Sequence, residues 1–169
     1  MPLAFPSGIA VGPSHLYVAD TAHHRILECS HEGRILRTFG SGTPGYVDGH
    51  PSECSFNGPR GLHLTRDALF VADTGNHTLR RIALLNGESD TIAGTGQRRQ
   101  AGEGPGSSPS TTALDTPLAI TGSNDKLYFS QAAAQQVWEY DQISRSLRCL
   151  VGTGQIGFGD GVGERAMLA

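Results

Sequence analysis

The residues best equipped for chemistry lie in two short segments. Asp20-Thr21-Ala22-His23-His24-Arg25 and Asp73-Thr74-Gly75-Asn76-His77-Thr78 each bring a carboxylate, a hydroxyl and imidazole together within six residues. Such groups could hold a metal ion or pass a proton. Adjacent His23 and His24 on a strand would point to opposite faces, which suits a single zinc ion poorly. His77 holds the place of His24 in a repeat and reads as a turn or packing residue. Asp20 and Asp73 each end a strand just before a turn. A carboxylate there accepts hydrogen bonds from backbone N–H groups that would otherwise go unpaired, so Asp20, Asp73, Asn76 and His77 read as structural turn residues. The functional alternative is a ring of carboxylates around a central channel, and Gln131 interrupts it. Two Gly-x-Gly-x-x-Gly runs begin at Gly40 and Gly152. Each leads into further glycine and an Asp-Gly turn rather than a helix, so no helix N-terminus meets a pyrophosphate. No Ser/His/Asp set and no carboxylate pair stands out. Catalytic, cofactor and metal residues are therefore all read as none, although a site built from distant loops would leave no linear motif.

The elements that carry these residues recur. Leu16-Tyr17-Val18-Ala19-Asp20-Thr21, Leu69-Phe70-Val71-Ala72-Asp73-Thr74 and the altered Leu127-Tyr128-Phe129-Ser130-Gln131-Ala132 each open a strand–turn–strand hairpin. The interval is 53 residues from Pro6 to Pro59 and from Leu16 to Leu69; it is 58 from Pro59 to Pro117 and from Leu69 to Leu127. Each unit holds four short strands separated by turn residues, an antiparallel meander. Four strands at this period predict propeller blades, and a continuous sandwich would show no self-similarity. The expected bounds are blades at 5–42, 59–96 and 117–154, connections at 43–58 and 97–116, and a lead-in to a fourth blade at 155–169. Gly157-Phe158-Gly159-Asp160-Gly161 echoes Gly45-Tyr46-Val47-Asp48-Gly49. Three units cannot close a ring. The chain is therefore expected to be part of a longer protein, or else to pair with a second copy and to self-associate through open blade edges.

Composition narrows the function classes. The chain has 169 residues, 23 glycines, 9 prolines and 17% charged residues, which fits many tight turns and argues against long helices. A net charge of −3 offers no electrostatic footprint for nucleic acid. The three cysteines are scattered, without a C-x-x-C pair, and read as thiols in a reducing compartment. The N-terminus lacks the features of a secretory signal, and no apolar run is long enough to span a bilayer. A cytoplasmic location without membrane contact is expected.

Pro6-Ser7-Gly8-Ile9-Ala10-Val11, followed by Leu16 to Thr21 and His23-His24-Arg25-Ile26, resembles an NHL repeat. In the second unit Asn76-His77 and Leu79 hold the places of the name-giving triplet, displaced by Thr78. The connections, with Gly-x-Gly, Asp-Gly and an apolar residue before the next proline, resemble those of a thioredoxin-like subgroup. The resemblance implies an all-β, NHL-type propeller, commonly six-bladed, that acts as a protein-interaction platform. A redox role does not carry over, because no C-x-x-C is present. The third unit departs from the pattern at Gln131 and at Ala134-Gln135. The leading expectation is a non-enzymatic scaffold that binds a protein partner through one face. The alternatives are an enzyme with its site in the channel or in other blades, and, less in keeping with the charge, an RNA-binding propeller. The connections should gather on one face, so Tyr46, Asp48, Arg98, Arg99, Phe158 and Asp160 are the candidate partner-facing residues. Trp138 and Tyr140 are expected to pack between blades.

Overall fold

A computed structural model describes residues 2–100, 102–155, 157, 159 and 161–167. The candidates Phe158 and Asp160 lie outside the described residues. Three four-stranded antiparallel sheets follow one another along the chain. The first holds β1 (Pro6–Val11), β2 (His15–Asp20), β3 (Arg25–Ser30) and β4 (Ile35–Phe39). The second holds β5 (Pro59–Leu64), β6 (Ala68–Asp73), β7 (Thr78–Ala83) and β8 (Ser89–Ala93). The third holds β9 (Pro117–Gly122), β10 (Lys126–Gln131), β11 (Gln136–Asp141) and β12 (Ser146–Val151). Within each sheet the spatial order is the chain order, as in propeller blades. The first strands β1, β5 and β9 stand side by side at the centre.

Strand alternation sorts each blade into two faces. In blade 1, Ala10 pairs with Tyr17, Tyr17 with Glu28 and Glu28 with Arg37, so these residues share one face with Ala19, Ile26 and Phe39. This leading face meets Leu62, Leu69, Val71 and Ile82 of blade 2, with Phe56 of the connection closing the outer end of the core. The opposite, trailing face of blade 3 carries Ile120, Phe129, Trp138 and Tyr140. It packs on Phe70, Ala72 and Leu79 of blade 2. Trp138 and Tyr140 thus lie between blades, as the sequence predicts. The described residues build two interblade cores, each a leading face set against a trailing face.

Close approach at the centre depends on glycine. A Cβ on Gly61 would stand 2.6 Å from the Leu118 carbonyl oxygen, and one on Gly8 would land on the Arg60 carbonyl oxygen. Both glycines fall two residues after the proline that opens their strand, so the repeat places a side-chain-free position where neighbouring inner strands meet. The third unit has Ala119 there.

Candidate functional site

The hairpin of each blade is more than a tight turn. Thr21–His23, Thr74–Asn76 and Ala132–Ala134 each form one turn of 3₁₀ helix, and His24, His77 and Gln135 follow in the left-handed conformation. Non-glycine residues adopt that conformation only when the surroundings hold them there. The surroundings here are hydrogen bonds of two kinds.

The first kind ties the turn to its own blade. Asp20 Oδ1 accepts the Ala4 N–H at 2.7 Å, and Asp73 Oδ1 accepts the Asn57 N–H at 2.8 Å. Gln131 Oε1 accepts the Asp115 N–H at the equivalent place. Each acceptor fixes the chain two residues before the proline of the inner strand. The change from Asp to Gln in blade 3 keeps this role, because a side-chain amide still offers a carbonyl oxygen. The second carboxylate oxygen is held within the turn: Asp20 Oδ2 by His23 and Arg25, Asp73 Oδ2 by Asn76 and Arg80. Burial pushes the Asp20 carboxyl up, but the Ala4 N–H, His23 and Arg25 outweigh it and hold the group below its usual range. Burial of Asp73 prevails over its donors and lifts that carboxyl to about 6.

The second kind ties the turn to the next blade. Thr21 Oγ1 donates to the Pro59 carbonyl at 2.7 Å, and Thr74 Oγ1 donates to the Pro117 carbonyl at 2.7 Å. His24 Nδ1 accepts the Gly58 N–H at 3.0 Å, and His77 Nδ1 accepts the Thr116 N–H at 3.1 Å. An imidazole that accepts through Nδ1 is neutral, with its proton on Nε2. Burial holds His77 below the usual histidine range, with Asp115 opposing and Arg98 reinforcing that effect. The Thr and His of the repeat therefore form an interblade latch. In blade 3 their places are taken by Ala132 and Gln135.

Arg80 is the functional residue that no motif marked. Its guanidinium is fully buried, pairs with Asp73 at 2.9 Å and Asp48 at 2.6 Å, and donates to the Ser55 and Val47 carbonyls. It lies over the rings of Phe56 and Tyr46, with its carbon 4.8 and 5.5 Å from the ring centroids. One side chain thereby clamps the 43–58 connection onto blade 2. A signal for it existed: by the repeat interval Arg80 stands where blade 1 has Leu27 and blade 3 has Trp138.

The predicted partner-facing residues are partly committed to the fold. Tyr46 and Asp48 contact Arg80 and leave their other sides exposed. Arg98 pairs with Asp115 at 2.8 Å. Arg99 donates to Gln136 at 2.9 Å and lies over the Trp138 ring. The 97–116 connection, rich in small polar residues, is thus pinned at its arginines. Strand direction sends all the connections to the end of the sheets that holds the 3₁₀ turns. Gly96 abuts the Tyr46 ring, and a groove of about 610 Å³ runs between residues 98–100 and 102–104 on one side and 153–155 on the other, floored by Ala133, Ala134 and Gln136. Among the described residues, no three His, Cys, Asp or Glu side chains come together as a metal site would require. None of the three cysteines is in a disulfide. No helix among the described residues is long and apolar enough to cross a membrane.

Three meander blades set side by side about their first strands define a β-propeller. Solved structures agree on the fold. The chain resembles a putative gluconolactonase (TM-score 0.59, 17% identity, covering 88% of this chain and 49% of that one). It also resembles a chain of a nidogen/laminin complex (TM-score 0.59, 18% identity, 87% and 47%). No family model matches. NHL repeat-containing protein 2 of Gallus gallus is 38% identical over 146 residues, and that of Homo sapiens is 36% identical over the same length. The Arabidopsis thaliana protein Suppressor of quenching 1, chloroplastic, is 33% identical over 160 residues. The chain belongs to the NHL-repeat β-propeller family. It spans about a fifth of the length of the two NHL repeat-containing proteins and 15% of the plant protein.

Proposed function

We propose that the chain is part of a non-enzymatic interaction scaffold of the cytoplasm, which binds a protein partner through the end of the propeller where the connections gather. The observation that carries this reading is the groove between the 97–116 connection and Thr153–Gln155. Its walls are fixed rather than loose, because Arg98 and Arg99 are anchored to Asp115, Gln136 and Trp138. A rigid rim loses little entropy on binding. The groove presents guanidinium edges, the Glu103 carboxylate and the amides of Gln100 and Gln155, a surface that suits an extended polar segment of a protein. The cytoplasmic assignment rests on three cysteines outside any disulfide.

A photo-crosslinking amino acid at Gln100, on the rim, is expected to capture the partner in cells. The same group at Asn124, in the hairpin at the opposite end of blade 3, is expected to capture nothing in common with it. Equal capture from both positions, or from Asn124 alone, would remove the assignment of this face.

A further inference from the structure

The seam between blades 1 and 2 and the seam between blades 2 and 3 share one pattern, and the second is left open at its rim. At the first seam a chain of bonds crosses from blade to blade. Tyr17 donates to Glu28, Glu28 pairs with Arg37, and Arg37 donates to the Leu84 carbonyl of blade 2 at 3.2 Å. Phe39 and Pro51 fill the space beside it: a Cβ on Gly87 would stand 3.0 Å from the Phe39 ring and 2.7 Å from Pro51.

By repeat interval and sheet register, the second seam has Phe70, Arg81 and Asp90 where the first has Tyr17, Glu28 and Arg37. The order of charges is reversed. Arg81 and Asp90 pair with each other at 2.9 Å, and among the described residues no hydrogen bond leads from them to blade 3. Ala93 stands where the Phe39 ring fills the first seam. A groove of about 410 Å³ lies here between β8, the 108–110 stretch and the β11–β12 hairpin, with Phe70, Ile92 and Tyr140 as its apolar side. Both blades that form it are present in the chain, so its walls are complete.

Arg145 lines this groove from the hairpin of blade 3. Its φ of +51° is left-handed, at the hairpin position where blades 1 and 2 have Gly33 and Gly87 with φ of +84° and +79°. A Cβ makes that conformation costly, and an outlier of this kind points to function. The Arg145 guanidinium forms no ion pair among the described residues. The acids around it are engaged elsewhere. Asp90 is held by Arg81, and the Asp141 carboxylate accepts the Ile143 and Ser144 N–H groups of its own turn and lies 4.0 Å from Lys126. Burial raises the Tyr140 phenol, with Asp90 and Asp141 adding to the effect and Arg145 and Arg81 opposing it, so the group stays a hydroxyl donor at neutral pH.

We propose that this groove binds a phosphate monoester, with the phosphate at Arg145 and the ester group against Phe70, Ile92 and Tyr140. The class follows from the donors. Arg145 and Tyr140 come from blade 3, Ser110 from the connection, and Arg81 from blade 2, where its Nε and Nη2 hold Asp90 and its Nη1 is left over. Donors spread over three elements suit the several oxygens of a tetrahedral phosphate, whereas a planar carboxylate is satisfied by one guanidinium fork. The volume is that of a small-molecule site. This groove is separate from the one at residues 98–104, and its assignment is independent of the scaffold reading.

The test is a titration of the 169-residue chain with phenyl phosphate, followed by the chemical shifts of its backbone amides. Saturable shifts are expected at Ile92, Ser110 and Arg145. Inorganic phosphate lacks the apolar group and benzoate lacks the tetrahedral one, and both are expected to bind more weakly. Arg145→Gly restores the residue that blades 1 and 2 carry. It should weaken phenyl phosphate about tenfold or more, with a thermal midpoint at or above that of the wild type. Arg34→Gln removes the same charge from the blade 1 hairpin and should leave the affinity unchanged. No saturable shift at the groove, benzoate or inorganic phosphate binding as tightly as phenyl phosphate, an equal loss in both variants, or an Arg145→Gly variant that keeps its affinity or melts lower would each overturn the proposal.

Discussion

Replacing Arg80 with leucine, the residue blade 1 carries at the same place, separates the charge of this side chain from its bulk. The variant removes the counter-charge of a carboxylate with no exposure and leaves two carbonyls, Val47 and Ser55, without their donor. Each lost hydrogen bond costs about 1 kcal/mol. Loss of the guanidinium over Phe56 and Tyr46 costs about 1 kcal/mol more, part of which the leucine recovers by packing. The remaining cost depends on pH. Burial already lifts Asp73 to about 6 in the folded protein. The native state therefore binds the extra proton, and wild-type stability falls as pH rises from the unfolded carboxylate value through the folded one. Without Arg80 the folded value moves higher still, so the fall continues through neutral pH. The excess penalty is about 1.4 kcal/mol for each pH unit above 6. At pH 7 the sum is about 3–5 kcal/mol, the range for breaking a buried ion pair by removal of one partner. The assay is urea unfolding of wild type, Arg80→Leu, Asp73→Asn and the double variant at pH 6, 7 and 8. The Arg80→Leu penalty should grow across this range. The double variant should cost about 2 kcal/mol less than the sum of the singles and lose the pH dependence. Additive costs, or an Arg80→Leu penalty that is the same at pH 6 and pH 8, would refute the assignment of Asp73 and Arg80 as one coupled unit.

Other expectations follow from the latch and the inner strands. Thr74→Val removes the donor to the Pro117 carbonyl and should cost about 1 kcal/mol, with faster hydrogen exchange at the Thr116 amide and little change at Asn57. Protonation of His77 Nδ1 would set a donor against the Thr116 N–H. Because burial lowers its folded value, the stability it contributes is present above the unfolded histidine value and is lost as pH falls through the folded one. A pH titration of exchange at Thr116 should show that loss, and His77→Asn should abolish it. Gly61→Ala drives a methyl into the Leu118 carbonyl and should cost about 1–3 kcal/mol in thermal or urea unfolding. Ala119→Gly, at the same place in blade 3, should cost less.

Much of the architecture was legible because two signals coincide. The interval between equivalent prolines and leucines fixed the blades, and period-two alternation fixed which side chains share a face. Leu69 to Ile82 shows where that legibility stops. Its Asp73 could be placed before a turn, but its partner is the Asn57 N–H, sixteen residues upstream. That contact exists only because β5 pairs with β6. His77 looked like a residue of its own turn, yet its hydrogen bond crosses to the start of β9. No local spacing encodes the docking of one blade on the next. Arg98 and Arg99 looked free in a connection rich in small polar residues. Arg99 is held by a tryptophan and a glutamine of the next blade, a pairing set by tertiary packing alone. The sequence did hold one unused clue to Arg80, a charged residue at a repeat position otherwise filled by leucine and tryptophan.

The changes in the third unit can be sorted once the two kinds of hydrogen bond are separated. Gln131 departs from Asp but retains one of the two functions that serve its own blade, the acceptor for the Asp115 N–H; with Ala134 in the place of Asn76, its buried Nε2 finds no hydrogen-bond partner among the described residues. Ala132, Gln135 and Ala119 stand at the positions that in blades 1 and 2 serve the following blade: the hydroxyl donor, the imidazole acceptor and the glycine at the inner strand. One within-blade contact survives, the other is lost, and the three between-blade positions are altered together. The leading face of blade 3 nevertheless retains its Tyr-Glu-Arg pattern. A face that keeps its packing surface but loses its latch should hold any blade set against it less tightly. The contact across it should be weaker than those between blades 1 and 2 or 2 and 3. Ala132→Thr and Gln135→His, at positions whose partners in blades 1 and 2 belong to the following blade, should therefore leave the urea midpoint of this chain nearly unchanged, whereas Thr74→Val should lower it.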